Sequence, residues 1–194
     1  MDKRLYIAYG SNLNILQMKH RCPTAKLCGT GTVENYQLQF KGRPMSAFAT
    51  ISPKEGSSVP VAVWELQPWD ERALDRYEGY PSHYFKQDIP VQMDGKEIVG
   101  MVYIMDLKAE YGIPSPRYYQ TVREGYEDCS LDVAVLEQAV LDSVKQYFAD
   151  GVRQSYQESL FDVETDGEAF EDAEEDMDNS ELSDLFGFSD GMHL

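Results

Sequence analysis

Two segments of this chain hold residues whose types and spacing could do chemistry. The first is Tyr6-Ile7-Ala8-Tyr9-Gly10-Ser11-Asn12-Leu13. A short apolar run meets Gly-Ser-Asn, and a helical pattern follows. Glycine lets the backbone turn sharply and lets a ligand come close. Successive free N–H groups at such a turn suit an anion such as a carboxylate. An ordinary strand–turn–helix with Ser or Asn as N-cap explains the same residues. The second segment runs from Leu74 to Tyr84, with Glu78 at the end of a helical pattern just before Gly79. The negative end of the helix dipole disfavours a carboxylate anion, and burial among aromatic residues disfavours it more. Both effects raise its proton affinity toward what a general acid/base needs at neutral pH. The plainer alternative is an exposed Glu at a helix C-terminus, with Tyr77, Tyr80 and Tyr84 as packing aromatics.

Other chemistries find less support. His20, Cys22 and Cys28 are close in sequence, but no second pair completes a zinc set, and the only other histidines are His83 and His193. Asp176-Met177-Asp178-Asn179-Ser180 fails as a calcium loop, because Glu181 stands where Gly is needed and Gly187 where Glu is needed. Gly29-Thr30-Gly31 has Glu34 where a dinucleotide loop has its third glycine. No serine sits in a nucleophile elbow. No metal and no cofactor are expected.

The elements that must position the two segments are mostly strands. Leu5–Tyr9, Thr32–Phe40, Ala47–Ile51, Val61–Leu66, Phe85–Val91 and Ile98–Ile104 are rich in β-branched and aromatic residues. Gly and Pro clusters separate them, and Asp94-Gly95 between two apolar runs predicts a hairpin. Helical patterns cover Asn12–His20, Pro68–Tyr77, Pro116–Glu127 and Asp132–Asp150, the last with Gly151 as a stop. Many strands with scattered short helices predict an α+β fold, best a small, mostly antiparallel β-barrel or curled sheet with flanking helices.

Charge divides the chain. It has 194 residues, 17 Lys plus Arg and 34 Asp plus Glu, for a net charge of −17. Residues 154–194 hold 14 acids and no base, which leaves 20 acids against 17 bases, or −3, in residues 1–153. We expect a folded domain over 1–153 and an acidic, disordered tail over 154–194. No apolar run reaches the roughly 18–20 residues of a membrane helix. The apolar stretch after Lys3-Arg4 is too short for a signal peptide. No basic patch suits nucleic acid. Three cysteines without CxxC spacing predict a reducing, cytoplasmic setting.

Taken together, the motifs resemble those of the γ-glutamylcyclotransferase-like superfamily, which includes AIG2-like and BtrG-like proteins. Tyr9-Gly10-Ser11-Asn12-Leu13 is similar to its glycine-serine-asparagine loop. Leu74-Asp75-x-x-Glu78-Gly79 followed by Tyr84 resembles its catalytic segment. Pro114-Ser115-Pro116-Arg117-Tyr118 resembles its Pro-Ser-Pro-x-Tyr segment, and Ala49-Thr50-Ile51 a further strand. The resemblance covers about residues 4–145. The rigid Tyr80-Pro81 stretch between Glu78 and Tyr84 is closer to the bacterial branch.

The resemblance implies a small β-barrel with a cavity at one end and a small-molecule γ-glutamyl amide as substrate. The substrate's own α-amino nitrogen attacks its γ-carbonyl, which releases 5-oxoproline and an amine. Glu78 is implied as the single acid/base. The loop Tyr6, Ile7, Ala8, Tyr9, Gly10, Ser11, Asn12 and Leu13 is implied to cradle the glutamyl head, and Tyr84, Tyr103 and Tyr118 to line the cavity. The nucleophile lies inside the substrate, so the absence of a nucleophilic Ser or Cys and of a metal set is consistent with this reaction. The alternative is a non-catalytic binding or adaptor module using the same pocket. Its acidic tail, with Leu160-Phe161, Leu182, Leu185, Phe186 and Phe188, would then dock a protein partner.

Overall fold

The structure, a computed structural model, describes residues 4–106 and 108–162, with residues from 152 onward as helical backbone. In chain order the elements are β1 (Arg4–Ala8), a 3-10 turn (Ser11–Leu13), α1 (Ile15–Arg21), β2 (Lys26–Lys41), β3 (Phe48–Leu66), α2 (Pro68–Glu78), β4 (Tyr84–Met93), β5 (Lys96–Met105), α3 (Pro116–Asp128) and α4 (Val133–Asp162).

The five strands close into a barrel in the order β1-β3-β2-β4-β5. All neighbours are antiparallel except the closing pair, where β1 meets β5 in parallel at Tyr6 and Met101. This is the expected α+β barrel. Closure removes the open edges that would otherwise expose unpaired backbone groups. The core packed on both faces of the barrel includes Ile7, Val33, Ile51, Val61, Val63, Val91 and Met101, each at 1% exposure or less. Gly100 lets β5 lie against β1, since a Cβ there would come within 2.5 Å of Ile7 Cδ1.

The sequence patterns Ala47–Ile51 and Val61–Leu66 are one strand here, continuous through Gly56. The long β2–β3 pair absorbs the interruption as a bulge. Its register shifts between Glu34 and Tyr36, Asn35 turns left-handed at φ 59°, and Asn35 Oδ1 accepts the Gly56 N–H at 3.1 Å. Asp94 and Gly95 both take positive φ, as a two-residue hairpin turn requires.

Two helices depart from their patterns. The stretch Asn12–His20 is not one helix. Asn14 is extended at φ −65°, ψ 114°, and its Oδ1 caps the fresh helix α1 by accepting from Gln17 N–H. Gly151 does not stop α4, which continues to Asp162. A glycine inside an exposed helix costs only about 1 kcal/mol. The expected boundary at residue 154 therefore falls inside α4. The rest of the expected tail, including Leu182, Leu185, Phe186 and Phe188, lies outside the described residues. Among the described residues, no helix is long and apolar enough to cross a membrane, and no His, Cys, Asp and Glu residues group as metal ligands.

Candidate active site

The Gly-Ser-Asn segment leaves β1 and folds into its 3-10 turn, with Leu13 N–H donating to Gly10 O at 2.9 Å. Helix α3 fastens this turn from behind. Asn14 Nδ2 donates to Glu124 Oε2 at 3.0 Å, Ile15 N–H to Asp128 Oδ2 at 2.9 Å, and the Cys129 thiol to Leu13 O at 3.5 Å. Gly125 makes the approach possible, because a Cβ there would sit 2.5 Å from Asn14 N and 2.6 Å from Leu13 Cβ.

Helix α2 starts with Pro68 behind a reciprocal Gln67–Asp70 capping box. It ends where Gly79 turns left-handed at φ 64° and Tyr80 N–H bonds back to Asp75 O at 2.9 Å. The last helical residue, Glu78, is thereby held against the Gly-Ser-Asn turn.

The two segments close a cavity lined by Tyr6, Tyr9, Gly10, Ser11, Asn12, Ala49, Glu78, Tyr84, Tyr103 and Tyr118. Of the residues expected from sequence, Ile7, Ala8 and Leu13 do not line it. All three are buried in the hydrophobic core. Ile7 points across the strand from Tyr6, toward Gly100, and Leu13 packs under Gly125. Ala49 lines the cavity without having been picked out as a site residue, although the Ala49-Thr50-Ile51 strand was a visible signal. The cavity, partly open to solvent, has a volume of about 30 Å³. Broader grooves of about 570 and 440 Å³ lie between β2–β3 and α4, but their linings include none of the expected site residues.

Polar groups in and around the cavity are hydrogen-bonded in separate sets, the largest of them centred on Asn12. Asn12 Nδ2 donates to Glu78 Oε1 and to the Tyr6 hydroxyl, each at 2.8 Å. Asn12 Oδ1 accepts from Arg21 Nη1 at 2.6 Å. Arg21 also reaches Ser11 Oγ at 3.3 Å and the Tyr77 hydroxyl at 2.7 Å, with its guanidinium 3.7 Å from the centre of the Tyr77 ring. The Ala49 backbone holds two rings: its N–H donates to the Tyr118 hydroxyl at 3.2 Å, and its carbonyl accepts from the Tyr84 hydroxyl at 3.2 Å. Tyr103 donates to Asp75 Oδ1 at 2.6 Å, and Lys86 pairs with that oxygen at 2.7 Å. Arg21, Asp75 and Tyr77 were not singled out as site residues in the sequence, where a basic residue closing a short helix reads as surface.

Burial pushes the Glu78 carboxyl up to about 7, against the opposing pull of the Asn12 hydrogen bond and the Arg21 charge. Burial also pushes the phenols of Tyr6, Tyr9, Tyr84 and Tyr118 upward, so they stay neutral. The cavity thus offers one carboxyl able to exchange a proton near neutrality, among neutral hydroxyls that donate and accept hydrogen bonds.

The family model for gamma-glutamyl cyclotransferase, AIG2-like proteins matches residues 6–121. The chain belongs to that family. This γ-glutamylcyclotransferase-family protein is 32% identical to a gamma-glutamylcyclotransferase of Mus musculus over 136 residues, covering 66% of the chain and 72% of the relative. It is 30% identical over 142 residues to the Homo sapiens gamma-glutamylcyclotransferase, covering 69% of the chain and 75% of the relative. A solved gamma-glutamyl cyclotransferase structure superposes with a TM-score of 0.64 at 27% identity, over 71% of this chain and 86% of that one. The cyclotransferase-family barrel expected from the motifs is therefore the fold of this chain, and the protein is an enzyme of the γ-glutamylcyclotransferase type.

Proposed function

We propose that the protein cyclises γ-glutamyl amines or γ-glutamyl amino acids, with Glu78 as its single general acid/base. The α-amino nitrogen of the substrate attacks its own γ-carbonyl carbon. A C–N bond closes the five-membered ring, the γ-amide C–N bond breaks, and 5-oxoproline and a free amine leave. Glu78 takes a proton from the α-ammonium, the ring nitrogen gives up a second proton to solvent as the ring closes, and Glu78 returns the first to the departing nitrogen, so the carboxyl ends as it began. Holding amine and carbonyl in contact is worth roughly 7–11 kcal/mol by itself. The backbone N–H groups of Gly10, Ser11 and Asn12 are assigned the substrate carboxylate or the developing oxyanion.

The observation that carries this reading is the position of Glu78: a carboxyl with a pKa raised to about 7, hydrogen-bonded to Asn12, inside a tyrosine-lined cavity. A carboxylate at the usual value would be too weak a base for the ammonium. A cavity of about 30 Å³ has room for about one water molecule, so a glutamyl head enters by moving ring side chains aside. We assign this chemistry to the body of the chain, up to about residue 153.

The test is a mass-spectrometric screen of mixed γ-glutamyl dipeptides, γ-glutamyl-ε-lysine and simple γ-glutamyl amines, with Glu78→Gln as control. Release of 5-oxoproline by the wild type alone supports the reading and names the leaving amine. Equal release by Glu78→Gln removes Glu78 from its role, and no release across the panel removes the reaction.

A further inference from the structure

We propose that Arg21 is a positioning residue of this site, fixing through the Asn12 amide the donor that Glu78 receives. The inference rests on the reading of Glu78 as the acid/base. Its geometry is specific. A primary amide has one accepting end and one donating end. Arg21 Nη1 occupies the accepting end at 2.6 Å, which leaves Nδ2 to face Glu78 Oε1 and the Tyr6 hydroxyl, both at 2.8 Å. Turned the other way, the amide would put its oxygen against a carboxylate and its N–H₂ against a guanidinium, so both contacts would be lost.

Arg21 is itself held on several sides. Nη2 donates to Gln17 Oε1 at 2.8 Å, one turn earlier on α1, and to the Tyr77 hydroxyl, while the guanidinium stacks on the Tyr77 ring. Tyr77 immediately precedes Glu78 on α2. One cation therefore ties α1, the Gly-Ser-Asn turn and the end of α2 together around the carboxyl without a salt bridge to it. A direct salt bridge would hold Glu78 ionised, whereas a relay through a neutral amide orients the carboxyl and leaves it free to take up a proton.

The groups facing Glu78 from the other elements are Tyr6 on β1, Tyr9 and Ser11 in the turn, Tyr84 on β4, Tyr103 on β5 and Tyr118 on α3. These are neutral hydroxyls. Lys86 and Asp75 are paired with each other behind Tyr103. Arg21 is thus the charged group coupled to Glu78 within its own hydrogen-bond set.

The test compares wild type with Arg21→Met, Arg21→Gln and Arg21→Lys. The Glu78 titration midpoint is read by carbon NMR on glutamate-labelled protein, with Glu78→Gln locating the signal. The neutral variants are expected to raise the midpoint by about one pH unit, because a positive charge that favours the carboxylate has gone. The acid limb of kcat/KM should move with it, giving about a tenfold loss at pH 6 and a smaller loss at pH 9. Arg21→Lys should recover part of both. An unchanged midpoint in a folded neutral variant would overturn the inference. So would failure of both neutral variants to fold, which would make Arg21 a structural clamp. The NMR midpoint needs no turnover. A wild type that releases no 5-oxoproline would therefore sink the proposed reaction, while the role of Arg21 would still be decided by the titration.

Discussion

Asn12 and Glu78 are 66 residues apart in the chain, and their side chains meet at 2.8 Å. The contact joins the end of a strand to the end of a helix, the two places where the backbone leaves regular structure. Each residue is there for a local reason: Asn12 lies within a 3-10 turn after Gly10, and Glu78 is the last residue before a left-handed glycine. The barrel brings these local endings together.

Glu78→Gln should raise stability at high pH and not at low pH. The folded pKa, about 7, lies above the ordinary carboxylate value of 4.5. Between these values the unfolded chain loses the proton and the folded chain keeps it, so this group weakens the fold as pH rises, until the effect levels off above about 7. Gln stays neutral and keeps an acceptor for Asn12. Thermal unfolding from pH 4 to pH 8 should show the variant gaining on the wild type across that window. A constant offset would mean that the Glu78 carboxyl titrates alike in both states.

Tyr118→Phe should weaken both fold and substrate use. The Tyr118 hydroxyl accepts the Ala49 N–H, and the edge-on contacts of its ring with Phe40 and Phe48 survive the change. Losing one partly buried hydrogen bond costs about 1 kcal/mol. Calorimetry should show a Tm lower by a few degrees, and steady-state kinetics should show a higher KM. If neither changes, Tyr118 serves packing alone.

Gly125→Ala should damage the site from outside it. The new methyl would meet Asn14 N at 2.5 Å and Leu13 Cβ at 2.6 Å, both close to backbone that cannot give way cheaply. Overpacking of this kind costs about 1–3 kcal/mol. We expect a lower Tm together with a kcat/KM loss that persists at temperatures where the variant is fully folded. Full activity in the folded variant would show that the turn tolerates displacement.

Removal of residues 163–194 should leave kcat/KM within about twofold, because among the described residues the cavity lining runs from Tyr6 to Tyr118 and takes nothing from α4. Assay of the shortened chain beside the full one decides it, and a larger loss would tie the removed segment to the site or to assembly.

Much of this was legible in the sequence, for identifiable reasons. Gly10-Ser11-Asn12, Glu78-Gly79 and Asp94-Gly95 are local signals, since a turn or helix end demands particular residue types within a few positions. The break at Asn14 was not legible, because Asn suits a helix start as well as a turn. Gly56 looked like the end of a strand and instead sits in a bulge, since the partner Asn35 that accepts its N–H is 21 residues away. Contiguity with the motif does not place Ile7 or Leu13 in the cavity: Ile7 faces away from its strand neighbour Tyr6, and Leu13 turns under Gly125. Arg21 closes a short helix after Lys19 and His20, and nothing in that run separates the side chain that turns inward from those that meet solvent.

The fastening of the Gly-Ser-Asn turn to α3 makes the two walls of the cavity mechanically unequal. One wall is anchored to α3 through Leu13, Asn14 and Ile15, whereas the hydroxyls of Tyr84 and Tyr118 that line the cavity are each tied to the Ala49 backbone by one hydrogen bond of 3.2 Å. Any displacement needed to admit a substrate is therefore expected on the Tyr84 and Tyr118 side, with the anchored side serving as a fixed reference. The amides of residues 13–15 should then rank among the slowest to exchange with deuterium.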